Sequence, residues 1–376
     1  MPRTLNVGMI GYKFMGRAHS NAWLKAEKFF DLKARPILKV VCGRDKAGLA
    51  AMAYRFGWER FETDWREVVN DSTIDIVDIV APNDTHAEIA IAAAKAGKAI
   101  LCEKPLALDV KHANAMVDAV KKAGVVHMIC HNYRRIPAIA LAKKMIDADD
   151  LGRIYHYRAR YAQDRLVDPN YPFGWRFQSK IAGYGTLGDT GSHIIDLGRY
   201  LVGEFAEVCA QMETFIKERP LPGEPNKKGK VTVDDTAMLI GRFANGALAN
   251  LEATRYALGR KNGIQIEING SKGSVAFDFE DMNRLKYYSN DDPPDRRGFR
   301  DILVTQGGGI HPYMGNWWPP GHIIGYEHTF VHTIADFTNA VMDKYPVQPT
   351  FEDGLANQLV LDAVAKSART KKWVKL

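Results

Sequence analysis

The feature that most constrains the fold is an alternation, across residues 5–131, of short apolar runs with stretches long enough to form a helix. Strands that alternate with helices in this way are typical of a parallel sheet with helices on both faces. The alternation therefore predicts a doubly wound α/β domain over residues 1–131. The apolar runs are Leu5 to Ile10, Ile37 to Cys42, Ile74 to Val80, Ala99 to Cys102 and Val125 to Cys130.

The pattern changes near Ile154 to longer runs in which apolar and polar residues alternate with a period of two. This period predicts a second α/β domain, residues 132–376, built on a large, open, mostly antiparallel sheet. Asn245 and Gly246 predict a tight turn between two of its strands. Two helices are predicted at the C-terminal end, over 326–342 and 351–366, and the stretch from Ser289 to Gly325 has no clear periodicity. The runs are Tyr155 to Tyr161, Val231 to Phe243, Ala247 to Arg255, Ile264 to Ile268 and Ser274 to Phe279.

Composition excludes several classes of function. The net charge of +7 is spread along the chain rather than gathered in a stripe, which argues against a nucleic-acid partner. No apolar stretch reaches about 18 residues, so we expect neither a signal peptide nor a membrane span. The four cysteines lie far apart without a CxxC pair, as expected for reduced thiols in a cytoplasmic protein.

A glycine-rich turn follows the first apolar run and precedes a predicted helix. Gly11 and Gly16 occupy the outer positions of a dinucleotide-binding turn, but Lys13 replaces its middle glycine. The pyrophosphate of a dinucleotide is expected at the helix N-terminus, beside Lys13, Phe14 and Met15. An ordinary tight turn is the alternative.

The end of the second strand bears on the choice of dinucleotide. NAD-binding folds commonly place an acid there to bind the ribose 2′-hydroxyl, and this chain has Gly43 instead. Arg44 is suited to a 2′-phosphate, which favours NADP, whereas Asp45 is able to turn back to the ribose. Both NAD and NADP remain open on these residues.

Two further strand ends carry polar side chains. Pro82 and Asn83 follow the third strand and His86 begins the next helix, so they are either a ribose or carboxamide contact or an ordinary helix cap. Glu103 and Lys104 end the fourth strand, at the carboxyl edge where open α/β sheets bind ligands. Taken alone, Lys104 reads as a solvated surface lysine; matching partners elsewhere are needed to make it a catalytic amine.

Those partners are predicted in the glycine-rich segment from Gly183 to Asp196. Asp189, His193 and Asp196 follow one another at spacings of four and three residues, which places them on one face of a helix. A carboxylate and an imidazole one turn apart are suited to proton transfer. Without a third ligand at the right spacing we predict no metal site.

Together these segments resemble the Gfo/Idh/MocA oxidoreductase family, nearly from end to end. The resemblance is carried by Gly11 to Gly16 with His19, by Pro82, Asn83 and His86, by Glu103, Lys104 and Pro105, and by Gly188, Asp189, Gly191 and His193. It implies an N-terminal Rossmann domain and a C-terminal domain whose sheet face makes a homodimer or homotetramer.

The resemblance also implies site residues. The catalytic set falls on Lys104, Asp189 and His193. The predicted cofactor-binding residues are Gly11, Lys13, Phe14, Met15, Arg44, Asp45, Pro82, Asn83, His86, Glu103, Lys104, Asn132, Trp175 and Arg176. The predicted substrate-binding residues are Lys104, Tyr133, Arg134, Arg176, Asp189, His193, His322 and Tyr326.

The activity implied is oxidation of a secondary hydroxyl, at C3, of a pyranose sugar, anhydrosugar or glycoside by NAD or NADP. One alternative is a glycosidase that oxidises C3 transiently, eliminates the aglycone and returns the hydride, for example on sulfoquinovosides. A second is a sugar sensor without catalysis, against which the presence of Lys104, Asp189 and His193 argues.

Overall fold

The first of two compact units is built on a six-stranded parallel sheet, as the sequence predicts. The computed structural model describes residues 3–376, and this unit takes the chain up to Asn132 and again over Gly325–Ala356. The strand order is β3-β2-β1-β4-β5-β6, all parallel. Every residue of the interior strands β4 and β5 is buried, which explains their mostly apolar sequence. The elements are β1 Thr4–Ile10, α1 Phe14–Phe29, β2 Arg35–Cys42, α2 Lys46–Phe56, β3 Arg60–Glu62, α3 Trp65–Asn70, β4 Ile76–Ile79, α4 His86–Lys95, β5 Ala99–Glu103, α5 Val110–Ala123 and β6 His127–Cys130.

The second unit, Tyr133–Ile324 with Asn357–Leu376, contains a nine-stranded mixed sheet. Its order is β16-β15-β14-β13-β7-β12-β11-β8-β17; β7 and β12 are parallel and the other neighbours antiparallel. The predicted turn at Asn245 and Gly246 joins β11 to β12, with Gly246 at φ 90°. The elements are α6 Pro137–Asp147, β7 Ile154–Ala162, α7 Ser179–Ala182, α8 Ser192–Leu201, β8 Phe205–Glu213, β9 Glu218–Leu221, β10 Glu224–Lys230, β11 Thr236–Phe243, β12 Leu248–Thr254, β13 Gly263–Gly270, β14 Gly273–Asp278, β15 Arg284–Ser289 and β16 Arg300–Leu303.

Two long helices and a short strand complete the chain: α9 Tyr326–Asp343, α10 Phe351–Thr370 and β17 Val374–Lys375. The start of α10 is capped, since the Thr350 amide donates to Asp353 Oδ2 at 2.8 Å. Strand β16 lies in the stretch from Ser289 to Gly325, which has no clear periodicity. The predicted domain boundary after residue 131 stays a prediction, and residues 325–356 group with the first unit. Within the described chain, none of the helices has both the length and the hydrophobicity needed to cross a membrane.

Candidate active site

The turn between β1 and α1 has the geometry of a phosphate-binding turn. Gly11 adopts φ 115°, and a Cβ there would lie 2.5 Å from the Val80 carbonyl oxygen. A Cβ at Gly16 would lie 2.8 Å from the Gly11 carbonyl oxygen, so both positions require glycine. Lys13 is exposed and does not cap α1 with its side chain. The first amides of α1 are therefore suited to a pyrophosphate, with the lysine beside them.

The end of β2 explains why glycine replaces the expected acid. A Cβ at Gly43 would lie 2.6 Å from Tyr12 Cδ1, so the tyrosine ring occupies the space of any side chain there. The Tyr12 hydroxyl donates to Asp45 Oδ2 at 3.3 Å. The same carboxylate caps α2 by accepting from the amides of Ala47 and Gly48, each at 3.2 Å. Asp45 is thus a fixed carboxylate two residues beyond the position of the missing acid.

His86 connects the turn after β4 with the turn after β5. Its buried ring places Nδ1 3.0 Å from the Pro105 carbonyl oxygen and Nε2 3.0 Å from the Ala81 carbonyl oxygen. Burial lowers the pKa of His86, while the hydrogen bonds to the two carbonyl groups act in the opposite direction. Asn83 begins a short 3₁₀ turn after Pro82. His86 therefore holds the two turns together. Direct contacts of Pro82, Asn83 and His86 with the cofactor stay predictions.

Lys104 follows β5, where the sequence places it. Its side chain is half-buried, and its backbone amide donates to Glu103 Oε2 at 3.2 Å. Glu103 is buried, with Oε1 3.0 Å from His19 Nε2. Glu103 is therefore part of the support of the Lys104 turn, and its contact with cofactor stays a prediction.

Two more predicted residues of the first unit lie on or near α9. Tyr326 stacks almost parallel to Phe14, with ring centroids 6.4 Å apart and planes at 6°. Asn132 is buried and donates from Nδ2 to Thr329 Oγ1 at 2.8 Å. The structure thus brings Tyr326, a predicted substrate residue, against Phe14, a predicted cofactor residue.

In the second unit a buried carboxylate shapes the glycine-rich segment before α8. Asp234 accepts from the amides of Gly185 at 2.8 Å and Leu187 at 2.7 Å. A Cβ at Gly185 would lie 2.0 Å from the Asp234 backbone oxygen, so only glycine fits. Burial raises the pKa of Asp234, and the hydrogen bonds from the two amides lower it in part. This carboxylate fixes the turn that leads into the residues 187–191.

Asp189 lies in a π-helical turn, Leu187–Gly191, rather than in regular α-helix. Such turns are frequent at functional sites. The Asp189 carboxylate forms an ion pair with Arg255, whose side chain is 2% exposed while that of Asp189 is 38% exposed. Sequence reasoning missed Arg255 and Asp234. Two adjacent acids, Asp234 and Asp235, at the start of an apolar strand were the available signal for the second.

His193 is placed on α8 among aromatic rings. Its ring is buried, with centroids 4.4 Å from Tyr133 and 5.9 Å from Tyr161. The two tyrosine hydroxyl oxygens are 3.2 Å apart, and that of Tyr161 donates to Asn262 Oδ1 at 2.7 Å. His193 and Tyr133, both predicted to bind substrate, are therefore in contact.

Asp196 has a different partner from Asp189. Arg134 donates to it twice, from Nε at 2.9 Å and Nη2 at 2.6 Å, and both side chains are buried. The Arg134 guanidinium also lies 4.9 Å from the Tyr200 ring centroid. Although the spacing predicted one shared face, the two aspartates bind separate arginines. A substrate contact of Arg134 stays a prediction.

The remaining predicted residues lie in loops of the second unit. The Arg176 guanidinium lies over the Trp175 ring at 4.4 Å. Burial lowers the pKa of Arg176. The negative charge of Asp189 acts in the opposite direction, which means that the two side chains interact electrostatically. His322 is exposed, with Nδ1 2.8 Å from the Pro319 carbonyl oxygen. Of the predicted catalytic set, Lys104 belongs to the first unit and Asp189 and His193 to the second.

Comparison with known proteins identifies the family of this chain. Residues 5–131 match the model of an oxidoreductase family with an NAD-binding Rossmann fold, and residues 139–276 match that of the GFO/IDH/MocA C-terminal domain. The chain belongs to the Gfo/Idh/MocA family. It is therefore an oxidoreductase with an NAD-binding Rossmann domain, which confirms the fold and the NAD part of the cofactor prediction.

Individual relatives extend over the whole chain. Levoglucosan dehydrogenase from Pseudarthrobacter phenanthrenivorans is 46% identical, covering 99% of this chain and 98% of that protein. The structure of a levoglucosan dehydrogenase with NADH and levoglucosan matches with a TM-score of 0.96 and 47% identity, over 100% of this chain and 99% of that one. An oxidoreductase domain protein from Kribbella flavida matches with a TM-score of 0.96 and 49% identity, over 99% of each chain.

Proposed function

We propose that the protein is an NAD-dependent sugar dehydrogenase that oxidises the C3 hydroxyl of a pyranose sugar, anhydrosugar or glycoside to the keto sugar. The observation that carries the proposal is the full-length likeness to levoglucosan dehydrogenase, at 46% identity, in a chain that presents Lys104, Asp189 and His193. Relatives named as inositol and glucose-6-phosphate dehydrogenases are also similar over most of the chain, which supports a polyhydroxylated ring as substrate.

The reaction divides between two groups of side chains. His193 accepts the hydroxyl proton, and Lys104 donates a hydrogen bond that orients the alcohol and stabilises the developing alkoxide. Asp189, held by Arg255, binds a neighbouring hydroxyl or fixes His193. Bound NAD supplies the acceptor for the hydride that leaves the same carbon. The alcohol thus loses one hydride and one proton, and the products are a ketone and reduced cofactor.

The substrate-binding assignments follow the same proposal. Tyr133 offers an aromatic face to a sugar ring, and Arg176, His322 and Tyr326 offer donors to its hydroxyls.

The assembly is a homodimer or homotetramer formed through the face of the large sheet, on which Met238 is 52% exposed. The protein acts in the cytoplasm.

A sugar panel tests the reaction. Purified protein with levoglucosan, glucosides, inositols and sulfonated sugars is expected to form one NADH per keto sugar, measured by absorbance at the nicotinamide band and by NMR of the product. Release of the aglycone without net NADH formation would support the redox-neutral glycosidase instead. A panel with neither outcome, in protein shown to bind NAD, contradicts both enzymatic proposals.

Cofactor choice tests the assignment of Asp45. If its fixed carboxylate accepts from the ribose 2′-hydroxyl, Asp45→Ser loses a charged hydrogen bond of about 1.5–3 kcal/mol, so KM for NAD rises about 10- to 100-fold. The variant also loses the repulsion against a 2′-phosphate, so the preference for NAD over NADP narrows. Serine still caps α2.

Asp64→Ser is the matched control, because Asp64 caps α3 of the same unit by accepting from the Arg66 amide at 3.0 Å. We expect it to leave both KM values unchanged. Equal KM values for NAD in the Asp45 variant and the parent protein would assign Asp45 to the cap alone and leave Arg44 as the determinant for NADP.

A further inference from the structure

A buried network lies beneath the Lys104 turn, made of His19, Asp78, Glu103 and Cys130. His19 Nδ1 is 3.0 Å from both carboxylate oxygens of Asp78, and His19 Nε2 is 3.0 Å from Glu103 Oε1. The side chains of His19, Asp78 and Glu103 are 1%, 0% and 6% exposed. Trp23 Nε1 also donates to Asp78 Oδ2, at 2.8 Å. Neither the fold nor the proposed hydride transfer requires a titratable group at this depth.

The geometry specifies the protonation of His19. A neutral imidazole has one N–H donor, so one of its nitrogens would present a lone pair to a carboxylate. With both nitrogens facing carboxylates, two donors are needed. Burial opposes a charge on the ring, but the adjacent Asp78 carboxylate outweighs it and raises the pKa of His19 well above its ordinary value.

Glu103 connects this cation to the catalytic lysine. Burial disfavours its charge, but the hydrogen bond and the charge of His19 lower the pKa of Glu103 below its ordinary value. Burial raises the pKa of Cys130 to about 12, so the thiol is neutral, and its Sγ lies 3.7 Å from His19 Nε2. The second donor to Glu103 is the Lys104 backbone amide, at 3.2 Å from Oε2. Two donors thus fix the carboxylate directly beneath the lysine.

We propose that His19 is a positioning residue for catalysis: as an imidazolium it bridges Asp78 and Glu103 and so fixes the carboxylate that holds the Lys104 backbone. The proposal rests on the proposed role of Lys104. It requires no new ligand.

A metal ion is the competing occupant. The ligand atoms of His19, Glu103 and Cys130 lie within 4.8 Å of one another. A metal ion, however, would need a deprotonated thiol and an unprotonated imidazole nitrogen. Binding of a metal would therefore release both protons, so metal analysis of the purified protein distinguishes the two occupants.

The charged and titratable groups around His19 come from three strands: Asp78 from β4, Glu103 from β5 and Cys130 from β6. The Phe330 ring of α9 packs on the imidazole with centroids 5.4 Å apart. Removal of the cation leaves two carboxylates in one buried site, where burial and the like charge both favour uptake of a proton. The Glu103 carboxylate then loses its fixed position and its constant charge.

The test compares His19→Gln with His332→Gln in the full-length protein with NAD and the sugar found by the panel. We expect His19→Gln to lower kcat about tenfold without changing the Kd for NAD. It should also add a second pH-dependent limb, from proton uptake by Asp78 and Glu103, beside the limb that the proposed base His193 gives the parent. His332 is a buried histidine of the same unit that contacts Phe30. His332→Gln makes the same substitution at a site that is equally buried. We expect it to keep the kcat and the pH profile of the parent protein.

Nitrogen-15 NMR of histidine-labelled parent protein decides the charge state even if His19→Gln fails to fold. One histidine is expected to keep both ring nitrogens protonated at pH 8 and to be the one whose signals shift in Cys130→Ser. The inference is overturned if every histidine is neutral at pH 8, if His19→Gln keeps the parent kcat and pH profile, or if the parent holds one equivalent of metal. Failure of the proposed function appears separately, as an inactive parent protein.

Discussion

Lys104→Ala is expected to lower kcat for sugar oxidation by about 10²-fold or more, because positioned proton donors and acceptors contribute about 10²- to 10⁴-fold to such reactions. The alanine variant keeps the turn after β5 and the backbone bond to Glu103, so the Kd for NAD should change little. Stopped-flow measurement of NADH formation, with fluorescence titration of NAD, separates the two effects.

His193→Ala is expected to have an effect of the same order, since it removes the proposed proton acceptor while its neighbours on α8 remain. Lys39→Ala and His156→Ala are matched controls. Lys39 binds Glu59 at the surface of the first unit, and His156 is a half-buried histidine on β7 of the second. Parent-like turnover in either Lys104→Ala or His193→Ala would remove that residue from the catalytic set.

The position of Lys104 could be predicted because local signals decide it. Strand β5 is buried along its whole length, so its sequence is continuously apolar, and its end is marked by Glu103, Lys104 and Pro105. In a parallel sheet the strand ends share one edge, which also places Asn83 and the turn at Gly11. The fold and the phosphate-binding turn could therefore be predicted from the periodicity of the apolar residues and the spacing of the glycines.

The electrostatic partners could not be predicted in the same way. Arg255 is 66 residues from Asp189 and Glu103 is 84 residues from His19, and no local pattern indicates such contacts. The spacing of Asp189, His193 and Asp196 indicated one helical face, but a π-helical turn and two separate arginines give the aspartates different environments. Packing between distant segments decides which charges meet.

Asp196→Ala is expected to be the most destabilising of the substitutions considered. It leaves the Arg134 guanidinium buried without its carboxylate, and breaking a buried pair in this way costs about 3–5 kcal/mol of unfolding free energy. The side chains of Arg134 and Asp196 are 5% and 1% exposed. Urea unfolding followed by tryptophan fluorescence and circular dichroism should show a clearly lowered midpoint.

Glu213→Ala is the control, because Glu213 pairs with Lys217 at the surface of the same unit, where both side chains are more than half exposed. Its unfolding midpoint should stay close to that of the parent protein. In Arg134→Met with Asp196→Leu, both charges are replaced by apolar groups, and the methionine still packs on Tyr200, so most of the lost stability should return. If Asp196→Ala unfolds at the same urea concentration as Glu213→Ala, the pair does not hold α8 in place, and Arg134 is then better assigned to the substrate.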